Sequence, residues 1–189
     1  MKQPSVSRFV FLLSPLFSFP FIIKDIYEKK KLGLIMFSVF IGICVYLFLP
    51  HELMDSAKRY KLYEGFKGVS TEQFINGYLA YRSDYIFYSL IYLFAALNIK
   101  YQILLFLFGV FNVGVPLFIF DKIIDKHLLS QKEYLQSFLL IFLSISLTFL
   151  FSGIRQLVAL NFISLSFYYL YYKKNISLTL FFIALGTLT

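Results

Sequence analysis

Residues 151–160 read FSGIRQLVAL, which places Arg155 and Gln156 between two strongly apolar runs. The pair falls where a membrane helix must begin or end. A charged side chain at the bilayer centre costs roughly 3 kcal/mol on insertion scales, so such a residue is a functional candidate by default. The alternative is an interfacial arginine whose charged head reaches the lipid headgroups and does no chemistry. Position alone leaves both interpretations open.

The composition predicts a membrane protein. Of the 189 residues, 59% are hydrophobic, with 25 phenylalanines and 15 tyrosines, and the mean hydropathy is +0.75. A soluble domain is nearer to half apolar. The net charge of +8 comes from lysines in short loops, as anionic headgroups favour, and no basic face with base-reading residues indicates nucleic acid. The single cysteine, Cys44, lies in an apolar run, so a disulfide framework and a thiol metal site are excluded.

The apolar runs predict an all-α, polytopic integral membrane helical bundle that forms a single membrane domain over residues 1–189. The first run, residues 9–23, contains Pro15 and Pro20, and we predict a retained first helix that also takes in residues 6–8. Further candidate spans are residues 32–49, 101–120, 135–151 and 157–172, and another helix begins near residue 176. Gly33 and Gly42 predict close packing of the second run against its neighbours.

Residues 85–97 decide the topology. At about 13 residues this run suits a re-entrant or short interfacial segment better than a full crossing. If it crossed, only six of the 18 Lys and Arg residues would lie in the cytoplasm, against the positive-inside rule. If it dips without crossing, the cytoplasmic number rises to nine. We therefore predict that the external loop, residues 51–84, and Arg155 lie on the same extracytoplasmic face.

The external loop holds further candidate site residues. Asp55, Arg59 and Tyr63 are spaced by four, so they share one face of a helix. That face is either a solvated surface held by an Asp–Arg pair or part of a site. His51, at the outer interface, is a weak candidate, and His127 is predicted to be a solvated loop residue in the cytoplasm.

Residues 152–159, SGIRQLVA, are followed by an aromatic-rich helix and two lysines. This order resembles the EpsG-like family of bacterial polysaccharide polymerases, which are related in role to the Wzy O-antigen and capsule polymerases. The family pattern of a small residue, an apolar residue and Arg-Gln-x-x-Ala is carried here by Arg155, Gln156 and Ala159. Residues 55–60 with Tyr63 look similar to the family's first external loop, and so does the Arg-x-Asp of residues 82–84. The glycine run and the Thr-Asp-Tyr of the family's first external loop are missing here. Members of the family are about twice as long as this chain, so the resemblance implies the N-terminal half of such a protein.

The resemblance implies a glycosyltransferase-type polymerase of the bacterial inner (cytoplasmic) membrane. Such enzymes join undecaprenyl-pyrophosphate-linked oligosaccharide repeat units in capsule, O-antigen or exopolysaccharide biosynthesis. The leaving pyrophosphate needs its developing charge stabilised, and arginine suits this because its planar fork binds phosphate oxygens in pairs. No metal or other cofactor is expected, since Asp, Glu and His show no ligand-like spacing. The expected partners are the lipid-linked oligosaccharide, the bilayer and other polysaccharide assembly proteins such as a chain-length regulator.

On this hypothesis Arg155 binds the pyrophosphate, and Asp55 or Asp84 accepts the proton of the attacking sugar hydroxyl. Asp84 is equally consistent with a loop-stabilising ion pair near Arg82. The predicted substrate-binding residues are Gln156, Arg59, Arg82 and Tyr63.

Other functions fit the same residues. A flippase or transporter would use the arginines to bind lipid-linked saccharide without chemistry, although the inverted repeats common in transporters are not seen in the sequence. An acyltransferase or ligase-like membrane enzyme and a structural membrane subunit are the remaining alternatives.

Overall fold

A computed structural model of the chain describes residues 6–47, 55–82, 84–124, 128–145 and 153–189. All regular structure in these residues is helical, which confirms the predicted all-α class. Short π-helical and 3-10 turns, Phe74–Tyr78, Leu79–Tyr81 and Tyr168–Tyr172, extend two of the helices. In chain order the α-helices are α1 (Val6–Leu13), α2 (Phe19–Tyr27), α3 (Lys31–Leu47), α4 (Asp55–Phe66), the single turn α5 (Thr71–Gln73), α6 (Tyr85–Ala96), α7 (Tyr101–Ile123), α8 (Gln131–Ser144), α9 (Ile154–Phe167) and α10 (Ile176–Thr187).

Helix α7 is the central helix of the fold. Its 23 residues extend about 35 Å at roughly 1.5 Å per residue, enough for a hydrocarbon core of about 30 Å. Within the described residues, α7 is the one helix both long and apolar enough to cross a membrane; α3, α6 and α10 are apolar but shorter.

Glycines bring α3 and α7 together in an antiparallel pair. A Cβ atom added at Gly42 would lie 2.5 Å from Val110 Cγ2, and one at Gly109 would lie 3.0 Å from Gly42 Cα. Neither position has room for a side chain, so glycine permits the close approach of the two backbones. Gly33 is equally tight against Ile26 of α2. The close packing predicted at Gly33 and Gly42 is confirmed.

Helix α9 runs parallel to α7, and α10 returns along α9. Asn161 Nδ2 donates to Asn112 Oδ1 over 3.0 Å between the buried faces of α9 and α7. Ring contacts continue in the same direction, with Phe118 of α7 beside Tyr168 after α9. Gly186 of α10 then packs against Ile163. The starts of α7 and α9 therefore lie at the same end of the bundle, as does the end of α3.

The two ends of the bundle differ in the connections that meet there. Three connections meet at one end, which we call the lysine end: residues 28–30, the described residues 124 and 128–130, and residues 173–175. Lys29 Nζ donates to the Leu129 carbonyl and joins the first two connections. The described lysines in or beside these connections are Lys24, Lys29, Lys30, Lys31, Lys122, Lys132, Lys173 and Lys174. The opposite end, where α3 ends and α7 and α9 begin, is called the arginine end.

The first apolar run is not one helix, so that prediction is wrong. It forms α1 and α2, separated by a turn over residues 15–18. Pro15 has no N–H to donate and its ring obstructs a continuing helix, and Ser18 Oγ donates to the Pro15 carbonyl to close the turn. Pro20 lies in the first turn of α2, where a missing N–H costs little.

Helix α6 starts and ends toward the arginine end. Its 12 residues extend only about 18 Å. The residue before α6, Asp84, pairs with Arg155 at the start of α9. Four residues separate the end of α6 from the start of α7. Ile86 N–H also donates to the Leu188 carbonyl after α10 at 3.1 Å. Residues 85–96 thus form a short helix, and its non-crossing path in a membrane stays a prediction.

Candidate functional site

The three arginines singled out from the sequence lie close together at the arginine end. Arg59 Cζ is 5.9 Å and Arg82 Cζ is 5.5 Å from the centre of the same Tyr88 ring. Arg155 Nη1 donates to Asp84 Oδ2, one helical turn before Tyr88. We call these five residues, Arg59, Arg82, Asp84, Tyr88 and Arg155, the arginine cluster.

The start of α6 positions two members of the arginine cluster. Asp84 is the N-cap residue of α6, but its side chain does not cap its own helix. The carboxylate reaches α9 instead, while the Asp84 carbonyl accepts from the Tyr88 N–H at 3.1 Å. One helical turn thus fixes a carboxylate and an aromatic ring side by side.

Arg155 needs a nearby anion because of its place in α9. It is the second residue of that helix, where a cation meets the positive end of the helix dipole. The Asp84 carboxylate offsets this repulsion. The side chains of Arg155 and Asp84 are 35% and 17% exposed, so the pair is partly open to solvent. A guanidinium has five N–H donors, so donors remain for a second anion.

Arg59 enters the arginine cluster from α4 and is half-buried. Its Cζ lies 4.9 Å from the centre of the Phe87 ring, and Phe87 stacks on Phe108 of α7 with centroids 5.4 Å apart. Contacts between a cation and an aromatic face contribute about 0.5–2 kcal/mol, more as water is excluded. The Arg59 guanidinium is therefore positioned by rings that are themselves fixed to the central helix.

A polar cleft of about 520 Å³ lies on the face of α4 that meets the start of α7. We call it the tyrosine cleft. Tyr60, Tyr63 and Tyr101 have ring centroids 5.5–6.2 Å apart. The Tyr63 hydroxyl donates to the Ile99 carbonyl at 2.7 Å, whereas Tyr60 is 40% exposed. The other lining residues are Tyr46, Leu47, Glu64, Lys67, Asn98, Lys100 and Gln102.

An ion pair between Glu64 and Lys67 lies in the wall of the tyrosine cleft. Lys67 Nζ lies 2.8 and 2.9 Å from the two Glu64 carboxylate oxygens and 4.9 Å from the centre of the Tyr63 ring. The hydrogen bond from Lys67 lowers the pKa of the Glu64 carboxyl, and the same bond raises the pKa of the Lys67 ammonium. A hydrogen bond to Glu64 also raises the pKa of the Tyr60 hydroxyl. Both members of the pair are therefore charged at neutral pH.

The remaining predicted site residues have different positions. Gln156 is exposed in the first turn of α9, beside Arg155. Tyr63 is 3% exposed, so it offers the cleft its ring while its hydroxyl is bonded to the backbone. The Asp55 side chain, His51 and His127 lie outside what the structure describes. Among the described residues, no group of three His, Cys, Asp or Glu side chains could hold a metal ion.

Sequence reasoning missed several residues of the site. The sequence does show that Tyr88 lies one helical turn after Asp84, but Tyr85 and Tyr92 in the same helix make it indistinct. Tyr60 and Glu64 also stand in the external loop, but nothing in their local pattern links them to Tyr101. That link exists because α4 packs beside the start of α7, which the sequence does not indicate.

The chain matches no protein-family model and no curated protein, and its fold matches no solved structure. The resemblance of residues 152–159 to the EpsG-like family therefore stays a prediction.

Proposed function

We propose that this chain is a multi-pass protein of the bacterial cytoplasmic membrane that helps to join pyrophosphate-linked oligosaccharide units into a polysaccharide. The observation that carries the proposal is the arginine cluster, in which guanidinium groups from three separate segments meet at one end of an apolar bundle. Such a cluster suits a diphosphate, because guanidinium groups bind phosphate oxygens in pairs and keep their charge.

The outer surface of the bundle supports a membrane placement. Leu140 and Leu143 of α8 are 71% and 73% exposed, and Leu180 and Phe181 of α10 are 61% and 54% exposed. Apolar surface on this scale favours contact with lipid rather than water. In the proposed orientation the lysine end faces the cytoplasm and the arginine end faces outward; the 18 Lys and Arg residues divide equally between the two sides, so the orientation rests on the resemblance and not on a charge bias.

The start of α9 favours an anion for a second reason. The first N–H groups of a helix point toward its N-terminus and lack helical partners, so helix starts bind phosphate readily. Arg155 lies in that first turn with a partly exposed guanidinium. A diphosphate placed here meets the helix start and Arg155 together, with Arg59 and Arg82 within reach of the same space beside Tyr88.

The proposed reaction is transfer of a glycosyl group to a sugar hydroxyl. The hydroxyl oxygen attacks the anomeric carbon, the bond from that carbon to the pyrophosphate oxygen breaks, and the electron pair leaves with the pyrophosphate. Cations already in place stabilise that charge without reorganising. The hydroxyl proton passes to a base, for which Asp84 and Asp55 are the two candidates.

The tyrosine cleft is the proposed place for the saccharide. Sugar rings present C–H faces that stack on aromatic rings, and their hydroxyls bond carboxylate and amide groups. Tyr60 supplies an exposed ring, and Glu64, Asn98 and Gln102 supply polar groups. Helix α4 joins the two regions, because it carries Arg59 of the arginine cluster and Tyr60 of the tyrosine cleft.

Replacing Arg155 tests the proposal. Introduced into the natural gene, Arg155→Ala is expected to lower polymer formation at least about 100-fold, as loss of one charge-stabilising donor does. Arg155→Lys should also be impaired, because an ammonium cannot bind two oxygens in the planar geometry of a guanidinium. Polymer length on gels and the amount of single-unit lipid-linked saccharide are the measurements.

Lys58→Ala is the matched control, since Lys58 is an exposed cation beside Arg59 and lies outside the arginine cluster. It should leave polymer length unchanged. Normal polymer from an Arg155→Ala protein that still reaches the membrane would remove Arg155 from the mechanism. Accumulation of the single unit at the inner face, rather than the outer face, would favour the flippase.

A further inference from the structure

A groove of about 180 Å³ lies between α3 and α7 on the lysine side of the bundle. Its apolar lining residues are Leu34, Ile35, Val39, Val110, Leu117 and Phe118. Ser38 and Gly114 also line it, and Lys31 and Asp121 stand at its lysine end. The groove lies on the opposite side of the Gly42–Gly109 contact from the arginine cluster.

Gly114 leaves space that the two helices do not use. A Cβ atom added there would meet Ser38 Oγ at 3.6 Å and Ser38 Cβ at 3.7 Å, which are ordinary contacts. Gly114 therefore differs from Gly42 and Gly109, where any side chain would collide. The Ser38 hydroxyl donates to the Leu34 carbonyl at 3.0 Å, so it does not require a polar occupant. The groove is shaped for an apolar chain.

The mouth of the groove carries more positive than negative charge. Lys31 and Lys122 are both exposed, and Lys122 Nζ lies 6.0 Å from the centre of the Phe118 ring in the groove wall. Asp121 is the carboxylate at this mouth. Lys31 in the groove lining and Lys122 beside Phe118 complement a ligand that has a phosphate at one end and a hydrocarbon chain at the other.

We propose that this groove binds one anionic phospholipid of the inner leaflet. An acyl chain lies between α3 and α7, and the phosphate sits at Lys31 and Lys122. Basic pockets between membrane helices on the cytoplasmic side bind anionic headgroups in this way. The inference rests on the membrane placement proposed above but not on polymer formation. Lipid binding in the groove and polymer formation can therefore be tested, and can fail, separately.

Native mass spectrometry of the purified full chain, with phosphatidylglycerol and phosphatidylcholine as probes, tests the site. The wild-type chain should retain one phosphatidylglycerol with about fivefold preference, the effect expected from one net lysine charge at a membrane surface. The double variant Lys31→Gln, Lys122→Gln should remove that preference. Gly114→Leu should lower retention of both lipids, because its side chain fills the groove.

Matched changes at the arginine end serve as controls. The double variant Lys58→Gln, Lys61→Gln removes two exposed lysines, and Gly65→Leu adds a side chain where nothing lies within 4 Å; both should bind like wild type. Equal retention of the two lipids by the wild-type chain would overturn the proposal. So would full phosphatidylglycerol preference in the lysine double variant, which decides the question even if Gly114→Leu does not fold.

Discussion

Tyr88 and Asp84, one turn apart on α6, hold together three guanidinium groups that would otherwise repel one another. The ring face attracts Arg59 and Arg82, while the carboxylate attracts Arg155. Each of these attractions strengthens as water is excluded. The three cations are therefore arranged without a ligand, which would lower the reorganisation needed to bind the proposed diphosphate.

The Glu64–Lys67 pair in the tyrosine cleft makes a pH prediction at the scale of single side chains. Its hydrogen bond lowers the pKa of Glu64 below the ordinary 4.5. Stability from the pair is therefore complete above 4.5 and is lost as pH falls through the lower, folded-state pKa. In Lys67→Met the pKa of Glu64 should rise back toward 4.5, as measured by NMR of the Glu64 carboxyl carbon.

Lys58→Met, which removes a different exposed lysine of α4, is the control for this titration. It should leave the pKa of Glu64 at its wild-type value. An equal rise in both variants would mean that the general charge of α4, and not the bond from Lys67, sets the acidity of Glu64.

At the scale of elements, the α3–α7 pair is the contact on which the bundle is assembled. A Cβ at Gly109 would lie 3.0 Å from Gly42 Cα and 3.1 Å from Val45 Cβ. Gly109→Val should therefore lower the free energy of unfolding by about 1–3 kcal/mol through overpacking. Thermal unfolding in detergent, followed by circular dichroism, measures the loss.

Gly65→Ala is the matched change for Gly109→Val, because nothing lies within 4 Å of its added carbon. Alanine is favoured over glycine inside a helix, so this variant should be as stable as wild type or slightly more so. Equal stability of Gly109→Val and wild type would show that α3 and α7 do not depend on their close approach.

The features that the sequence predicts correctly are local. Gly42 permits close helix packing because of its own chemistry, and residues 85–97 form a short helix because the apolar run is short. The Asp84–Arg155 pair lies beyond local reasoning, since its members are 71 residues apart and meet only after α6 and α9 have packed. Pro15 by itself indicates a helix break, but the apolar residues on both sides of it favour a single helix.

At the scale of the whole molecule, labelling at the two ends of the bundle tests the proposed orientation in a membrane. With Cys44 changed to Ser, single cysteines at Tyr81 and Leu128, which are both 82% exposed, form a matched pair at opposite ends. Tyr81→Cys should react with a membrane-impermeant maleimide in intact cells. Leu128→Cys should react only after the cells are permeabilised, because the proposed orientation places the lysine end in the cytoplasm.

Labelling of Leu128→Cys in intact cells would reverse the orientation and place the arginine cluster in the cytoplasm. Labelling of both cysteines in intact cells would mean that the two ends are not separated by a bilayer. Either result would remove the proposed outward-facing site, whatever the effect of Arg155→Ala on polymer.

The short helix α6 at the arginine end has a geometric consequence if the proposed membrane placement holds. In that placement α4 and α6 add cross-sectional area to one monolayer and not to the other. Lipids of that monolayer would spread around the two helices, and the hydrocarbon would be shallow next to the guanidinium groups. The proposed lipid-linked substrate would then reach the arginine cluster sideways from the membrane, while its sugar stays in water.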